Sequence, residues 1–110
     1  MLYDLIIIGG GPAGITAGIY AARKKLATLL ISKDFIGQIG KTGEVENYPG
    51  LWRVTGIELI NKFVEHVREF EIEIKENQEV SGIEKNDNIF KVKTAQEESF
   101  TAKAVIIASG

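Results

Sequence analysis

Tyr3-Asp4-Leu5-Ile6-Ile7-Ile8-Gly9-Gly10-Gly11-Pro12-Ala13-Gly14 is the stretch that decides the fold. Leu5 to Ile8 is a continuous apolar run rich in β-branched residues, as expected of a strand covered on both faces in a parallel sheet. It leads straight into Gly9-x-Gly11-x-x-Gly14, and a helical pattern begins at once. Strand, glycine turn and helix in that order form a holder for a pyrophosphate. The first glycine permits the tight turn, the second lets the backbone approach the phosphates with no Cβ in the way, and the third lets helix and strand pack closely. The free amides of the helix start, at its positive dipole end, then face the anion. Pro12 suits the first helical turn, where its missing N–H costs nothing. A glycine triplet alone is unspecific; the strand before it and the helix after it supply the meaning.

Working outward, Pro12 to Lys25 predicts a helix, with Ile15, Ile19, Ala22 and Leu26 at helical spacing. Gly18 and several alanines make it thin enough to lie close on a sheet. Ala27 to Ser32 predicts a second buried strand, which completes a βαβ unit. Lys33 to Val54 has little periodicity and is rich in glycine; a loop of that length in a compact domain is usually functional or disordered. Its Asn47-Tyr48-Pro49-Gly50 and Trp52 point to an ordered loop, with Trp52 stapled to the core. Thr55-Gly56-Ile57-Glu58 is a capping box. The helix it opens carries Leu59, Ile60, Phe63, Val64, Val67 and Phe70 at three-four spacing. Ile72 to Lys75 predicts a short strand. Glu79 to Lys85 and Ile89 to Thr94 predict strands joined by the turn Asn86-Asp87-Asn88. Glu97 to Thr101 is expected as the third strand of this antiparallel piece. Ala104 to Ala108 is again wholly apolar. The expected fold is α/β: a Rossmann-like parallel sheet with helices on its faces and a small antiparallel β-meander insertion.

The 110 residues suit a single domain, which buries roughly two thirds of its unfolded surface. With 45% hydrophobic and 25% charged residues, the composition is that of a soluble globular chain. A net charge of −2 offers no broad basic surface for nucleic acid or an anionic membrane. The absence of cysteine removes disulfides, thiolate metal sites and thiol redox chemistry from this chain. The N-terminus has no basic region and only a short apolar run, so neither a signal peptide nor a membrane span is expected, and the cytosol is the default location.

The glycine loop does not choose among NAD, NADP and FAD. In the NAD form an acidic residue about 20 positions further on bonds the ribose hydroxyls. Here the region is Ser32-Lys33-Asp34. Asp34 could serve a ribose, and Lys33 could face a 2′-phosphate. Those three residues leave the choice open.

Four motifs taken together carry a resemblance. Gly9-Gly10-Gly11-Pro12-Ala13-Gly14, Gly37-Gln38, Glu44-Val45-Glu46-Asn47-Tyr48-Pro49-Gly50 and Val105-Ile106-Ile107-Ala108-Ser109-Gly110 resemble the FAD-binding half of the thioredoxin reductase family. The flavoprotein subunit of alkyl hydroperoxide reductase is a close relation. The resemblance runs the length of the chain, and the Glu-Asn-Tyr-Pro-Gly segment is its most particular part. It implies FAD as cofactor. Gly9, Gly11, Pro12, Ala13 and Gly14 would line the pyrophosphate, and Ser32 and Lys33 would lie by the adenosine ribose. Gln38 would reach the ribityl chain and Asn47 the isoalloxazine ring. The backbone near Val80 would meet adenine, and Ala108 and Gly110 would close over the cofactor. Ser32 departs from the acidic residue that many flavoproteins place there, and Ala-Ser-Gly replaces the frequent Ala-Thr-Gly.

In the intact family, NAD(P)H reduces FAD, and electrons pass to a cysteine pair and then to the disulfide of a thioredoxin-like partner. These 110 residues hold no Cys-x-x-Cys and no second glycine loop. The expectation is therefore an N-terminal fragment, an incomplete FAD-binding domain spanning 1–110 and inactive alone. A sheet edge beside Ala104–Ala108 would be unpaired and open to self-association, and FAD would bind weakly or through its ADP half. The competing readings are a non-catalytic FAD- or NAD(P)-binding module, a ligand-free scaffold, and a ferredoxin–NADP reductase-like flavoprotein. Gly40-Lys41-Thr42 is not the end of a P-loop, because position 35 is Phe35 rather than glycine. His66, the sole histidine, is expected to pack at the boundary of the second helix. Glu69, Glu71, Glu73 and Glu76 are expected to form a solvated face.

Overall fold

A computed structural model describes residues 1–34, 43–51 and 53–109. β1 (Leu2–Ile8) leads into α1 (Pro12–Arg23) and β2 (Thr28–Ile31). The ribbon strands β3 (Glu44–Val45) and β4 (Val54–Thr55) precede α2 (Gly56–Arg68). β5 (Glu73–Lys75), β6 (Val80–Asn86), β7 (Ile89–Thr94) and β8 (Ser99–Ile107) follow. The main sheet has the order β5-β2-β1-β8-β7-β6, and β3 pairs with β4 alone. β1 is parallel to β2 and to β8, and β2 is parallel to β5. β6, β7 and β8 are antiparallel neighbours. The α/β class, the parallel core and the antiparallel meander are as the sequence predicts.

The last strand differs from expectation. The predicted segments 97–101 and 104–108 are two halves of one strand, β8. Its first half pairs with β7, from Lys93↔Ser99 to Phe90↔Ala102, while Leu2↔Thr101 to Ile8↔Ile107 bind it to β1. Ala102 and Lys103 separate the two predicted pieces by composition only; both adopt extended backbone, so the ladder continues through them. Beyond Ala102, the described residues place β1 on one side of β8 and no strand on the other.

Alternation along each strand divides the interior into two cores. Ile6, Ile8, Leu29 and Ile31 pack with Val92 and Ala102 beneath the meander. Leu5, Ile7 and Leu30 face Ala17 and Ala21 of α1. The thinness of α1 has a packing cause: a Cβ on Gly18 would sit 3.1 Å from Ile72 Cδ1 and 3.5 Å from Val67 Cγ2. Thr55 caps α2 as predicted: its hydroxyl accepts from Glu58 N at 3.1 Å, and Glu58 Oε1 accepts from Thr55 N at 3.3 Å. α2 buries Leu59, Ile60 and Val67. His66 is exposed, with its ring centroid 5.9 Å from that of Phe70.

Two further ties fix the sheet edges. The Tyr3 hydroxyl donates to Glu73 Oε2, and burial followed by this hydrogen bond raises the Tyr3 pKa to about 12. Asp4 Oδ2 accepts from Ala27 N at 2.9 Å, and its Oδ1 lies 3.4 Å from Lys103 Nζ. The backbone hydrogen bond, helped by Lys103, holds the Asp4 carboxyl below its ordinary value.

Candidate functional site

The strand order places a switch point between β1 and β8. From β1 the chain crosses one way to β2, and its final strand returns on the other side. Open α/β sheets bind ligands at such a point, outside the carboxyl ends of the strands. Here Ile8, Ile31 and Ile107 end their strands at the floor of a cleft of about 660 Å³, within the range of small-molecule sites.

The glycine turn forms one wall, and each of its three glycines has its own reason. Gly9 has φ +119°, in the region that side chains avoid, and a Cβ there would lie 2.1 Å from the carbonyl oxygen of Ala108. Gly9 N donates to Ile31 O at 2.9 Å, and Ala108 N donates to Ile8 O at 2.7 Å. The turn is thus stitched to the ends of both neighbouring strands. Gly14 is buried, and a Cβ on it would stand 1.9 Å from Gly9 O. The helix can begin beside its own loop only because that atom is absent.

Gly11 is different. A Cβ built on it meets nothing within 4 Å. No described residue requires glycine there, and Gly11 lines the cleft. Gly11 is the N-cap of α1, no side chain caps the helix, and Pro12 occupies its first turn. In a helix the first amides have no intrahelical acceptor, so those of Ala13 and Gly14 are available to an outside anion. The first intrahelical bond runs from Ile15 N to Gly11 O at 2.9 Å. An uncapped helix start with an unobstructed corner fits a diphosphate.

The opposite wall comes from the end of β2 and the start of β6. Gly9, Gly11, Pro12, Ala13, Ser32, Lys33, Val80 and Ala108 are all brought to the one cleft. Gly14 lies behind it. Asn47, exposed in the loop after β3, is not among the lining residues. Gln38 and Gly110 lie outside the described residues, as do Trp52, Phe35 and Gly40-Lys41-Thr42.

Ser32 proves to be a structural node. It is 1% exposed, and its hydroxyl donates to Asp34 O at 2.7 Å. Its N–H donates to Lys75 O at 2.9 Å, and its carbonyl accepts from Gln78 N at 3.1 Å. The serine therefore folds the corner between β2, β5 and the loop before β6, and the side chains of Lys33 and Asp34 stand at the cleft. Ile8, Ile83, Gln78, Glu79 and Ser109 also line it, without having been singled out from sequence. A signal for Gln78 and Glu79 was present: they immediately precede Val80. Ile83 lies three positions beyond Val80 along β6, past the register shift between Val80 and Gly82, a placement that only strand pairing reveals.

The comparisons with known proteins agree with this geometry. The profile of the family "Pyridine nucleotide-disulphide oxidoreductase" matches residues 3–110. The chain is 43% identical over 110 residues to the thioredoxin reductase of Bacillus subtilis (strain 168), covering 99% of this chain and 34% of that protein. The crystal structure of Lactococcus lactis thioredoxin reductase in its FR conformation superposes with a TM-score of 0.92 at 40% identity, over 98% of this chain and 35% of that one. A ferredoxin-flavin thioredoxin reductase from Clostridium acetobutylicum gives a TM-score of 0.91 at 36% identity, over 100% of this chain and 38% of that one. The chain thus spans about a third of the length of the relatives it matches. With glycine turn, switch-point cleft and profile all coincident, the chain belongs to the pyridine nucleotide-disulphide oxidoreductase family.

Proposed function

We propose that these 110 residues form the FAD-binding part of a thioredoxin reductase-like flavoprotein, with the ADP half of FAD seated in the β1–α1 cleft. One observation carries this: Gly11 lines the cleft at an uncapped helix start, and no described atom lies within 4 Å of its Cβ position. Glycine at that corner costs conformational entropy and fills no internal space. A diphosphate at van der Waals distance gives it a purpose.

The residues would divide the work as follows. The Gly11–Gly14 corner and the amides of Ala13 and Gly14 hold the phosphates. Lys33 and Asp34 flank the ribose, with Ser32 fixing their turn. The backbone around Val80 meets the base, and Ala108 covers the turn. Asn47 and Gln38 are proposed for the flavin side. When bound, FAD supplies the redox chemistry, accepting hydride from NAD(P)H for onward transfer to a disulfide. The protein's task is binding, orientation and exclusion of water. This chain contributes no cysteine to the electron path. For the protein as a whole we propose NAD(P)H as donor and a thioredoxin-like disulfide as acceptor. A cytosolic location is consistent with the fact that no described helix is long and apolar enough to cross a membrane.

The second half of β8 supports a further proposal. Ile106 and Ile107 are 40% and 68% exposed on a strand segment with one described neighbour. Such an edge is a template for pairing with another copy. Sedimentation of the protein across a concentration series tests it: self-association that Ile107→Lys abolishes is expected, and a monomer at all concentrations refutes it.

Calorimetric titration with FAD, ADP, NADH and NADPH tests the main assignment. Saturable binding of FAD and ADP, with FAD the tighter, is expected. Preference for NADPH over both would overturn it.

A further inference from the structure

A second hollow lies between α1 and α2, on the side of α1 that carries Thr16, Tyr20 and Arg23. Ala17 and Ala21, by contrast, meet the sheet. The hollow has a volume of about 470 Å³, within the range of small-molecule sites. Its apolar body comes from the buried Ile15 and the half-buried Ile19, Phe63 and Phe70. Tyr48 adds a further ring, with its centroid 5.4 Å from that of Phe63 and the planes at 59°. His66 and Phe70 form a second tilted pair, at 44°. Tyr20 is 60% exposed and Tyr48 41% exposed. Single exposed apolar residues are ordinary on a protein surface, but rings gathered around one concavity mark an interaction site. Aromatic rings pair best offset or edge to face, so the guest that suits such a lining is another planar ring.

Charge narrows the choice. No carboxylate lines the hollow, and Arg23 is the one lysine or arginine that does. Its Cζ lies 6.0 Å from the centroid of the Tyr20 ring, and among the described residues it forms no ion pair. A guanidinium group is built to bind a carboxylate through paired N–H donors. The Thr16 hydroxyl is already engaged, donating to Pro12 O at 2.7 Å. The charged donor at the hollow is therefore Arg23, beside aromatic surface.

We propose that this hollow binds a small planar aromatic carboxylate, with its ring against Tyr48, Phe63 and Ile19 and its carboxylate on Arg23. The site is distinct from the cleft at the glycine turn; among the described residues only Pro12 lines both. It does not depend on the dinucleotide assignment.

The probe is 2-naphthoate, and 2-naphthamide is its uncharged counterpart of the same shape. Aromatic ¹H–¹³C spectra of the parent protein follow Tyr20, Tyr48, Phe63 and His66 during titration, with and without excess FAD. Naphthoate should shift these resonances saturably and equally in both conditions. Naphthamide should bind about five-fold more weakly, the scale of one exposed ion pair. Arg23→Gln should weaken naphthoate by about the same factor and leave naphthamide unchanged. Absence of a saturable shift overturns the proposal, as does equal affinity of the parent for acid and amide. Displacement of naphthoate by FAD assigns the hollow to the flavin and overturns it too. So does movement of the same resonances with protein concentration alone, which assigns this face to a second copy of the chain.

Discussion

Replacing Gly11 and Gly14 separately by alanine should give opposite phenotypes, although both belong to one glycine motif. Gly14 has no room: its new Cβ would sit 1.9 Å from Gly9 O and 2.8 Å from Gly9 C, both backbone atoms that cannot swing aside. The start of α1 must then move off its loop. Overpacking of this kind costs about 3 kcal/mol at the upper end of its usual range, a fall of roughly 12–24 °C in Tm for a domain near 100 residues. Gly11 has φ −78° and an open Cβ position, so alanine fits the folded chain. Two small terms then oppose each other. Alanine reduces unfolded-state entropy by about 0.4–1 kcal/mol, and it is a poorer N-cap than glycine by about the same amount. The expected Tm lies within about 3 °C of the parent. Ligand binding tells the other half. The new methyl group occupies the space left for the diphosphate, and ADP and FAD affinity should fall at least ~100-fold, about 2.7 kcal/mol. Thermal melts by circular dichroism and calorimetric titration on both variants decide the matter. If Gly11→Ala binds ADP as the parent does, the corner is not the phosphate seat, and the functional proposal loses its main support. If Gly14→Ala melts with the parent, the packing account of the third glycine is wrong.

Thr55→Ala removes the hydroxyl that accepts from Glu58 N, while the Thr55 backbone N–H keeps its bond to Glu58, and should lower stability by about 1 kcal/mol, read as a Tm fall of roughly 4–8 °C; an unchanged melt would show that the hydroxyl cap is idle. At high pH, Tyr3 sets a limit. Its folded pKa of about 12 stands above the free value of 10.0, so the stability it contributes is fully present below pH 10 and is lost as the pH rises through about 12. The gap is worth at most about 3 kcal/mol. Urea melts at pH 9 and pH 11 should show the parent losing more than Tyr3→Phe; equal losses would refute the coupling to Glu73. At low pH the sign reverses for Asp4. Its folded pKa is depressed by the Ala27 amide and Lys103, so its contribution is present above the unfolded carboxylate value and disappears as the pH falls. Asp4→Asn should flatten that acid limb, and an acid limb as steep as the parent's would count against it.

Local chemistry made most of the fold legible. Leu5–Ile8 had to be buried on both faces because nothing in it is polar, and Thr55 with Glu58 marked the start of α2 to the residue. Gly14 could be assigned its role from spacing because that role is local, between a strand end and the helix that follows it. What sequence could not show depended on long-range pairing. The 97–101 and 104–108 segments read as two strands because Ala102-Lys103 breaks the apolar pattern, yet one ladder runs through both. The identity of the strand beside β1 was equally hidden, since a pattern of residues carries no neighbour.

That neighbour determines the site. Gly9 is squeezed by Ala108, which follows β8 some hundred residues later in the chain, so the glycine turn is shaped partly by β8. Ser32 teaches the same lesson from the other side. From sequence it stood where a ribose ligand belongs; in the fold its hydroxyl, amide and carbonyl are all consumed in joining β2 to β5 and to the Gln78 loop. A small residue that can hydrogen-bond three ways suits that junction. An acidic side chain at the same position would bring a buried charge to a spot with 1% exposure, at a cost that a surface turn avoids. The charged groups accordingly fall one and two positions later, at Lys33 and Asp34, where the chain has emerged at the cleft. The departure from the usual acidic position is therefore a displacement forced by packing.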